Sequence, residues 1–259
     1  MSWEDQITKI VNIFVKKDIK TSEDEYSFWN RHWRDRIDYF KKTKKPYELS
    51  SFWQQRIYDK MNNTFIKALG KIKDKKIIEA GCGSGYSSIK FSKRGADVYL
   101  LDNTPNALKY AKLISRLLDI KKIHFKKGNL FSIPYNESKF DIVWNSGVIE
   151  HYSDNIIKDI LAEMIRVTKP GGKVMLTVPN LLTPEIIYRM FTIGKGTERF
   201  FSRNKLKNVM ENAGLKNVKI YSVDCILPAF IPIKITDILS KYERFFPSLG
   251  FMYVGVGKR

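Results

Sequence analysis

Cysteine is scarce in this chain. Cys82 and Cys225 are the only two among 259 residues, too few for a disulfide framework or a cysteine-rich zinc site, and they fit a reducing compartment. Long apolar runs are missing as well. The longest uncharged one, Cys225 to Ile233, has nine residues and two prolines, about half of the ~20 needed to span a bilayer. No membrane-spanning helix is expected. The N-terminal stretch carries early acidic residues and a broken apolar stripe, unlike the basic start and solid apolar block of an export signal. A cytoplasmic location is therefore expected. Acidic residues are also in short supply: 46 Lys and Arg against 27 Asp and Glu give a net charge of +19. That excess favours anionic partners such as RNA, acidic lipid surfaces or phosphorylated metabolites. The lysines gather in short clusters, Lys41 to Lys45, Lys71 to Lys76 and Lys121 to Lys127, mostly where turns belong. With 43% hydrophobic and 13% aromatic residues, the chain can still bury a full core.

The first 70 residues read as a helical extension. Ile7, Ile10, Val11, Phe14 and Val15 fall on one helical face, and Trp29, Trp33, Ile37 and Phe40 on a second. Phe52, Ile57, Met61 and Phe65 mark a third helix, separated from the second by the break before Pro46. From residue 71 to 259 short apolar runs alternate with amphipathic helical segments, the pattern of βαβ units. KIIEA, DVYLLD, KIHFKKG, FDIVWNS and KVMLTVP are strand candidates, joined near the C-terminus by NVKIYSV and FMYVGVGK. The expected fold is α/β, a Rossmann-like, mostly parallel sheet of seven strands with helices on both faces. Residues 181–200 and 226–250 break this rhythm and read as insertions.

Chemistry concentrates after the first strand. Glu79-Ala80-Gly81-Cys82-Gly83-Ser84-Gly85 puts an acidic residue at a strand end and alternating glycines in the strand-to-helix turn, where the backbone can approach a ligand closely. The dinucleotide fingerprint G-x-G-x-x-G fails, because Tyr86 stands three residues after Gly83. A phosphate-binding P-loop fails too, since no Gly-Lys-Ser/Thr follows. The next strand ends at Asp102, about 20 residues on, where a carboxylate accepts the hydroxyls of an adenosine ribose.

These residues, together with Gly128-Asn129-Leu130-Phe131, Phe140-Asp141-Ile142-Val143, Glu150-His151 and Lys169-Pro170-Gly171-Gly172, resemble class I S-adenosylmethionine-dependent methyltransferases over residues 75 to 180. The likeness is greatest to the small-molecule branch that includes ubiquinone- and menaquinone-pathway enzymes. The resemblance implies S-adenosyl-L-methionine as cofactor and assigns Glu79 to its amino group. Gly81, Cys82, Gly83 and Gly85 would line the methionine and ribose, and Asp102 with Asn103 the ribose. Asn129, Leu130 and Phe131 would meet the adenine; Asn129 departs from the Asp that the family often has there. Asn145 and Ser146 would lie under the methionine and the methyl group. An N-terminal helical segment covering the cleft is common in this branch, so residues 1–70 are expected to form a lid.

His151 is the catalytic candidate. It follows the fourth strand, where the methyl group should emerge, and its ordinary pKa suits a general base at neutral pH. His32 and His124 lie outside the motif block. The expected reaction is methyl transfer to an oxygen or nitrogen of a small molecule or an anionic, lipidic metabolite. Asn145-Ser146-Gly147-Val148 is not the Pro-Pro-aromatic motif of base-amine methyltransferases, and neither cysteine follows proline as a cytosine-C5 nucleophile commonly does. RNA methylation of another kind, a noncatalytic cofactor-binding protein and a hydride-transfer enzyme stay open as alternatives.

Overall fold

Consecutive residues are buried in the central strands from Lys76 onward, Ile77 to Ala80 in the first of them, as a sheet covered on both faces requires. A computed structural model of the chain describes residues 2–14, 22–180, 183, 199–223, 234–235, 238 and 250–259. It contains β1 (Lys76–Ala80), β2 (Asp97–Asp102), β3 (Ile123–Lys127), β4 (Phe140–Ser146), β5 (Thr168–Pro179), β6 (Lys216–Ser222) and β7 (Met252–Lys258). They form one sheet of seven strands in the order β3-β2-β1-β4-β5-β7-β6. The first five run parallel; β7 lies antiparallel between β5 and β6. Chain order reverses between β1 and β4, so a crevice opens beyond their C-terminal ends, where α/β sheets bind ligands.

All seven expected strands are present, with one difference in extent. Strand β5 begins at Thr168, which pairs with Phe140, and Lys173 then pairs with Ile142 across a bulge. The Lys169-Pro170-Gly171-Gly172 segment is thus an excursion within the strand edge, held by Gly171 N–H donating to the Arg259 carbonyl at 3.1 Å.

Helices cover both faces: α1 (Trp3–Phe14), α2 (Ser22–Thr43), α3 (Phe52–Leu69), α4 (Tyr86–Ser92), α5 (Pro105–Leu117), α6 (Asp154–Val167) and α7 (Arg203–Asn212). On one face Phe65 and Leu69 of α3, Phe91 of α4 and Ile114 of α5 pack on Ile77, Leu100 and Trp144. On the other, Leu161 and Met164 of α6 and Leu206 of α7 pack on Ile78, Val143 and Val174. Among the described residues no helix is long and apolar enough to cross a membrane.

Of the expected apolar face of α1 only Ile7 is described, and the helix docks through polar groups. Ile7 is 39% exposed while Thr8 is buried; Val15 and the side chains of Ile10, Val11 and Phe14 lie outside what the structure describes. Asp5 accepts from the Ser202 hydroxyl and from Asn204 Nδ2. Burial pushes its carboxyl up, but these bonds and those from Ser2 outweigh burial and bring it down to about 2. Cys225 and most of 181–200 and 226–250 also lie outside the described residues.

The N-terminal helices share the core of the sheet, because the Phe65 ring sits 5.4 Å from that of Trp144 and is fully buried. Phe65→Ala should therefore cost about 3–5 kcal/mol in chemical denaturation, the range for emptying a buried phenylalanine site. A loss below about 1 kcal/mol would mean that α3 is not docked.

Candidate active site

The loop after β1 is fastened before any side chain reaches it. Gly81 and Cys82 N–H both donate to the Leu101 carbonyl, at 2.8 and 2.9 Å. Gly83, at φ +51°, then donates its N–H to Asp102 Oδ2 at 2.9 Å. Asp102 Oδ1 accepts from Thr104 N at 2.9 Å and Thr104 Oγ1 at 2.7 Å. Asn103 N–H donates to the same carboxylate, so four protein donors meet a group with about four acceptor sites. Burial pushes the Asp102 carboxyl up, and the hydrogen bonds oppose the shift.

Above the turn lies a cavity of about 290 Å³. Its floor comes from strand ends: Glu79 and Trp144 project to the face opposite Ile78 and Val143, as strand alternation dictates. Trp144 Nε1 donates to Ser88 Oγ at 3.1 Å, and Ser88 in turn bonds the Glu79 carboxylate. The other oxygen of that carboxylate, Oε2, is buried and has no partner. Burial, aided by the negative charge of Asp102, pushes Glu79 up to about 8.

Helix α2 forms the opposite wall. A Cβ on Gly83 would lie 2.5 Å from Cζ2 of Trp33, so the indole rests directly on the glycine. The Trp29 ring meets that of His151 edge-on at 5.3 Å. Glu25 accepts from the side chains of Tyr152 and Trp29, and burial raises its carboxyl. His151, on a single turn of 3-10 helix at Ile149–His151, is driven down to about 4 by burial, so its ring is neutral at pH 7.

Of the sequence-derived site residues, Glu79, Gly81, Cys82, Gly83, Asp102 and Asn103 line this cavity, and so do Asn129, Leu130, Phe131, Ser146 and His151. Asn129 Oδ1 also accepts from Phe131 N at 3.0 Å. Two expected residues lie elsewhere. Asn145 is out of phase with Trp144 and Ser146; it points toward α6, with Nδ2 3.4 Å from Met164 Sδ. Gly85 caps α4 in a left-handed conformation, φ +61°, and a Cβ there would strike Leu100 at 2.6 Å. It serves the packing of the turn on β2 and is not part of the cavity wall.

Sequence reasoning missed Glu25, Tyr26, Tyr58, Met61 and Tyr152 as lining residues. The signal available for the first two was their place one turn before Trp29 on the same helix. Among the described residues no Lys or Arg lines the cavity, whereas three carboxylates do.

Comparison with known proteins adds the following. The sequence profile of a family described as a methyltransferase domain matches residues 71–224. A demethylmenaquinone methyltransferase of Renibacterium salmoninarum is 33% identical over 111 residues, 43% of this chain and 44% of that protein. A malonyl-[acyl-carrier protein] O-methyltransferase of Serratia marcescens is 33% identical over 101 residues, 39% of this chain and 37% of its own. These alignments span less than two thirds of the length of the curated relatives. Among solved structures, the geranyl diphosphate C-methyltransferase of Streptomyces coelicolor, holding S-adenosyl-L-homocysteine, superposes with a TM-score of 0.57 at 16% identity over 80% of both chains.

Gly83→Ala tests how closely α2 meets the turn. It combines left-handed strain of about 1–2 kcal/mol with overpacking of about 1–3 kcal/mol. Adding Trp33→Ala should relieve the second contribution and leave the first, as read by denaturation. If the double variant recovers nothing beyond the cost of Trp33→Ala itself, the indole does not press on Gly83.

Proposed function

This chain belongs to the methyltransferase domain family, and from that premise we propose that its cavity binds S-adenosyl-L-methionine and directs methyl transfer to an oxygen or nitrogen of a small molecule. The observation that carries the reading is the unpartnered Oε2 of Glu79, buried at the cavity floor beside an open glycine turn. A buried carboxylate oxygen without a donor is costly, and an amino group removes the cost. The lining fits the rest of such a ligand: Asp102 stands in the cavity wall at the end of β2 to meet a ribose hydroxyl, and Asn129, Leu130 and Phe131 offer one amide and two apolar side chains for a base.

When bound, S-adenosyl-L-methionine supplies an electrophilic methyl group on a positively charged sulfur. The chain's own contribution is alignment, which can be worth effective molarities of ~10⁵ M or more. Glu79 and Asp102 fix the cofactor at the β1 and β2 ends. Ser146 and His151 face the acceptor at the β4 end, and α2 covers both as a lid, excluding water with Trp29 and Trp33. The low basicity of His151 decides its role: a neutral imidazole about 3 units below neutral pH is a poor standing base, but its ring nitrogen orients an acceptor by hydrogen bonding.

Two outcomes follow. At pH 6.5, Glu79 is protonated in the empty cavity and ionises on meeting an ammonium group, so cofactor binding should release roughly one proton. Calorimetry in buffers of different ionisation enthalpy reads this release, and Glu79→Gln should abolish it while weakening binding by about 1.5–3 kcal/mol. Absence of any binding would refute the reading itself. The second outcome concerns turnover: His151→Ala should slow it about 10²-fold, the lower end for a group handling a proton, with cofactor affinity within a few fold. Parent-like turnover with chemistry rate-limiting would make His151 structural.

A further inference from the structure

The cavity holds more negative charge than its cofactor role uses. Glu79 and Asp102 stand at the ends of β1 and β2, on the glycine-turn side, and the proposed cofactor engages both. Glu25 stands apart from them. It projects from α2 into the region bounded by Trp29, His151 and Tyr152, beyond the end of β4. Its two side-chain partners, Tyr152 and Trp29, both donate to it, so about half of its four acceptor sites are open to a further donor.

The surroundings of Glu25 select what that donor is. Tyr26, Trp29 and Tyr152 present aromatic surface to the same space, which attracts cations through the ring quadrupole. Among the described residues no Lys or Arg lines the cavity, and the basic side chain in its wall, His151, is neutral at pH 7. With Glu79 and Asp102 engaged by the cofactor, an anionic acceptor would face the Glu25 carboxylate with no described Lys or Arg beside it, a repulsion that discriminates in a water-poor site. A hydroxyl acceptor would satisfy one lone pair of Glu25 and no more. A protonated amine would give a charge-assisted hydrogen bond and, in the same place, a cation against aromatic rings.

We infer that Glu25 is a specificity-determining residue for the acceptor, that it pairs with the ammonium group of a small primary or secondary amine, and that it takes the proton which must leave before the nitrogen can react. In that transfer an N–H bond breaks, its electron pair stays on nitrogen, and an O–H bond forms on the Glu25 carboxylate. The raised basicity that burial gives this carboxyl favours the proton's stay there. The inference rests on the proposed methyltransferase reading and deepens it. It also separates the basic surface of the molecule from its chemistry, because an amine gains nothing from the lysine clusters.

The test uses the full chain saturated with S-adenosyl-L-homocysteine and three probes of one shape and different charge: phenethylamine, 2-phenylethanol and phenylacetate. Quenching of tryptophan fluorescence, to which Trp29 beside Glu25 should respond, and calorimetry read the binding. The amine is expected to bind at least about tenfold more tightly than the alcohol, one charge-assisted bond's worth, and phenylacetate more weakly than either. Glu25→Gln should erase the preference for the amine while leaving S-adenosyl-L-homocysteine affinity within about twofold, which also reports that the variant is folded. Phenylacetate binding as well as the amine, a preference that survives Glu25→Gln, or no probe binding at millimolar concentration would each overturn the assignment. If S-adenosyl-L-homocysteine itself does not bind, it is the methyltransferase reading that fails.

Discussion

The bond from Gly83 N–H to the Asp102 carboxylate is the constraint on which the site depends. It ties the turn after β1 to the end of β2, across two strands already paired in register from Lys76–Asp97 to Ala80–Leu101. Only a glycine serves at that point, because the backbone is left-handed and the Trp33 ring occupies the space of a side chain. The same carboxylate holds Thr104 at the start of α5. One buried charge thus sets the geometry of the turn, the entry of a helix and the seat of α2. Satisfying it with hydrogen bonds from Gly83, Asn103 and Thr104 is what makes its burial affordable.

Charge is distributed in two opposed ways. Lys75 and Lys169 both approach Asp141, at 3.9 and 3.0 Å, where β4 begins, while Lys126 and Lys127 end β3 in register with Leu101 and Asp102 without lining the cavity. Asp141 itself donates nothing to the site. It accepts from Lys76 N at 2.8 Å and so clamps β1 to β4 at the end away from the ligand crevice. Carboxylates, by contrast, collect at the strand ends, inside the crevice. A net charge of +19 therefore speaks to solubility and long-range association.

Legibility in the sequence follows the same division between local and nonlocal causes. The seven strands were readable because each is a short apolar run bounded by turn residues, and the glycine turn with Asp102 was readable because both lie in the chain order that a βαβ unit imposes. Asn145 was misplaced although the information was present: Glu79 and Trp144 must share a face because their strands pair in register, and that parity excludes Asn145. Thr8, rather than Ile7, is buried on α1 because the helix docks through Glu4 and Asp5 onto Tyr253, Ser202 and Asn204. Those partners are about 200 residues away in sequence, and periodicity carries no trace of them. Glu25 was missed for a related reason. On its own helix it reads as an ordinary surface acid, and only the arrival of Tyr152 from the β4 side makes it part of a cavity.

Helix α2 consequently has two functions that cannot be separated. Its Trp33 lies against both the glycine turn and the ring of Tyr110, with ring centroids 5.9 Å apart, while Tyr110 donates to buried Glu48 at 2.8 Å and accepts from Tyr47 N at 2.8 Å. The base of α2 is therefore anchored through a buried network that a ligand does not touch. Its first turns are held differently, by Glu25 to Tyr152 and by the Trp29–His151 ring contact, both of which are cavity contacts. Just after them Asn106 Nδ2 donates to the Asn30 carbonyl at 3.0 Å, so the latch formed by Glu25 and Trp29 is confined to the first two turns, ahead of this tie to α5. On the proposed function, exchange of cofactor and acceptor then costs the latch and not the anchor. Because the latch includes both His151 and Glu25, closing the lid and completing the acceptor site are one event.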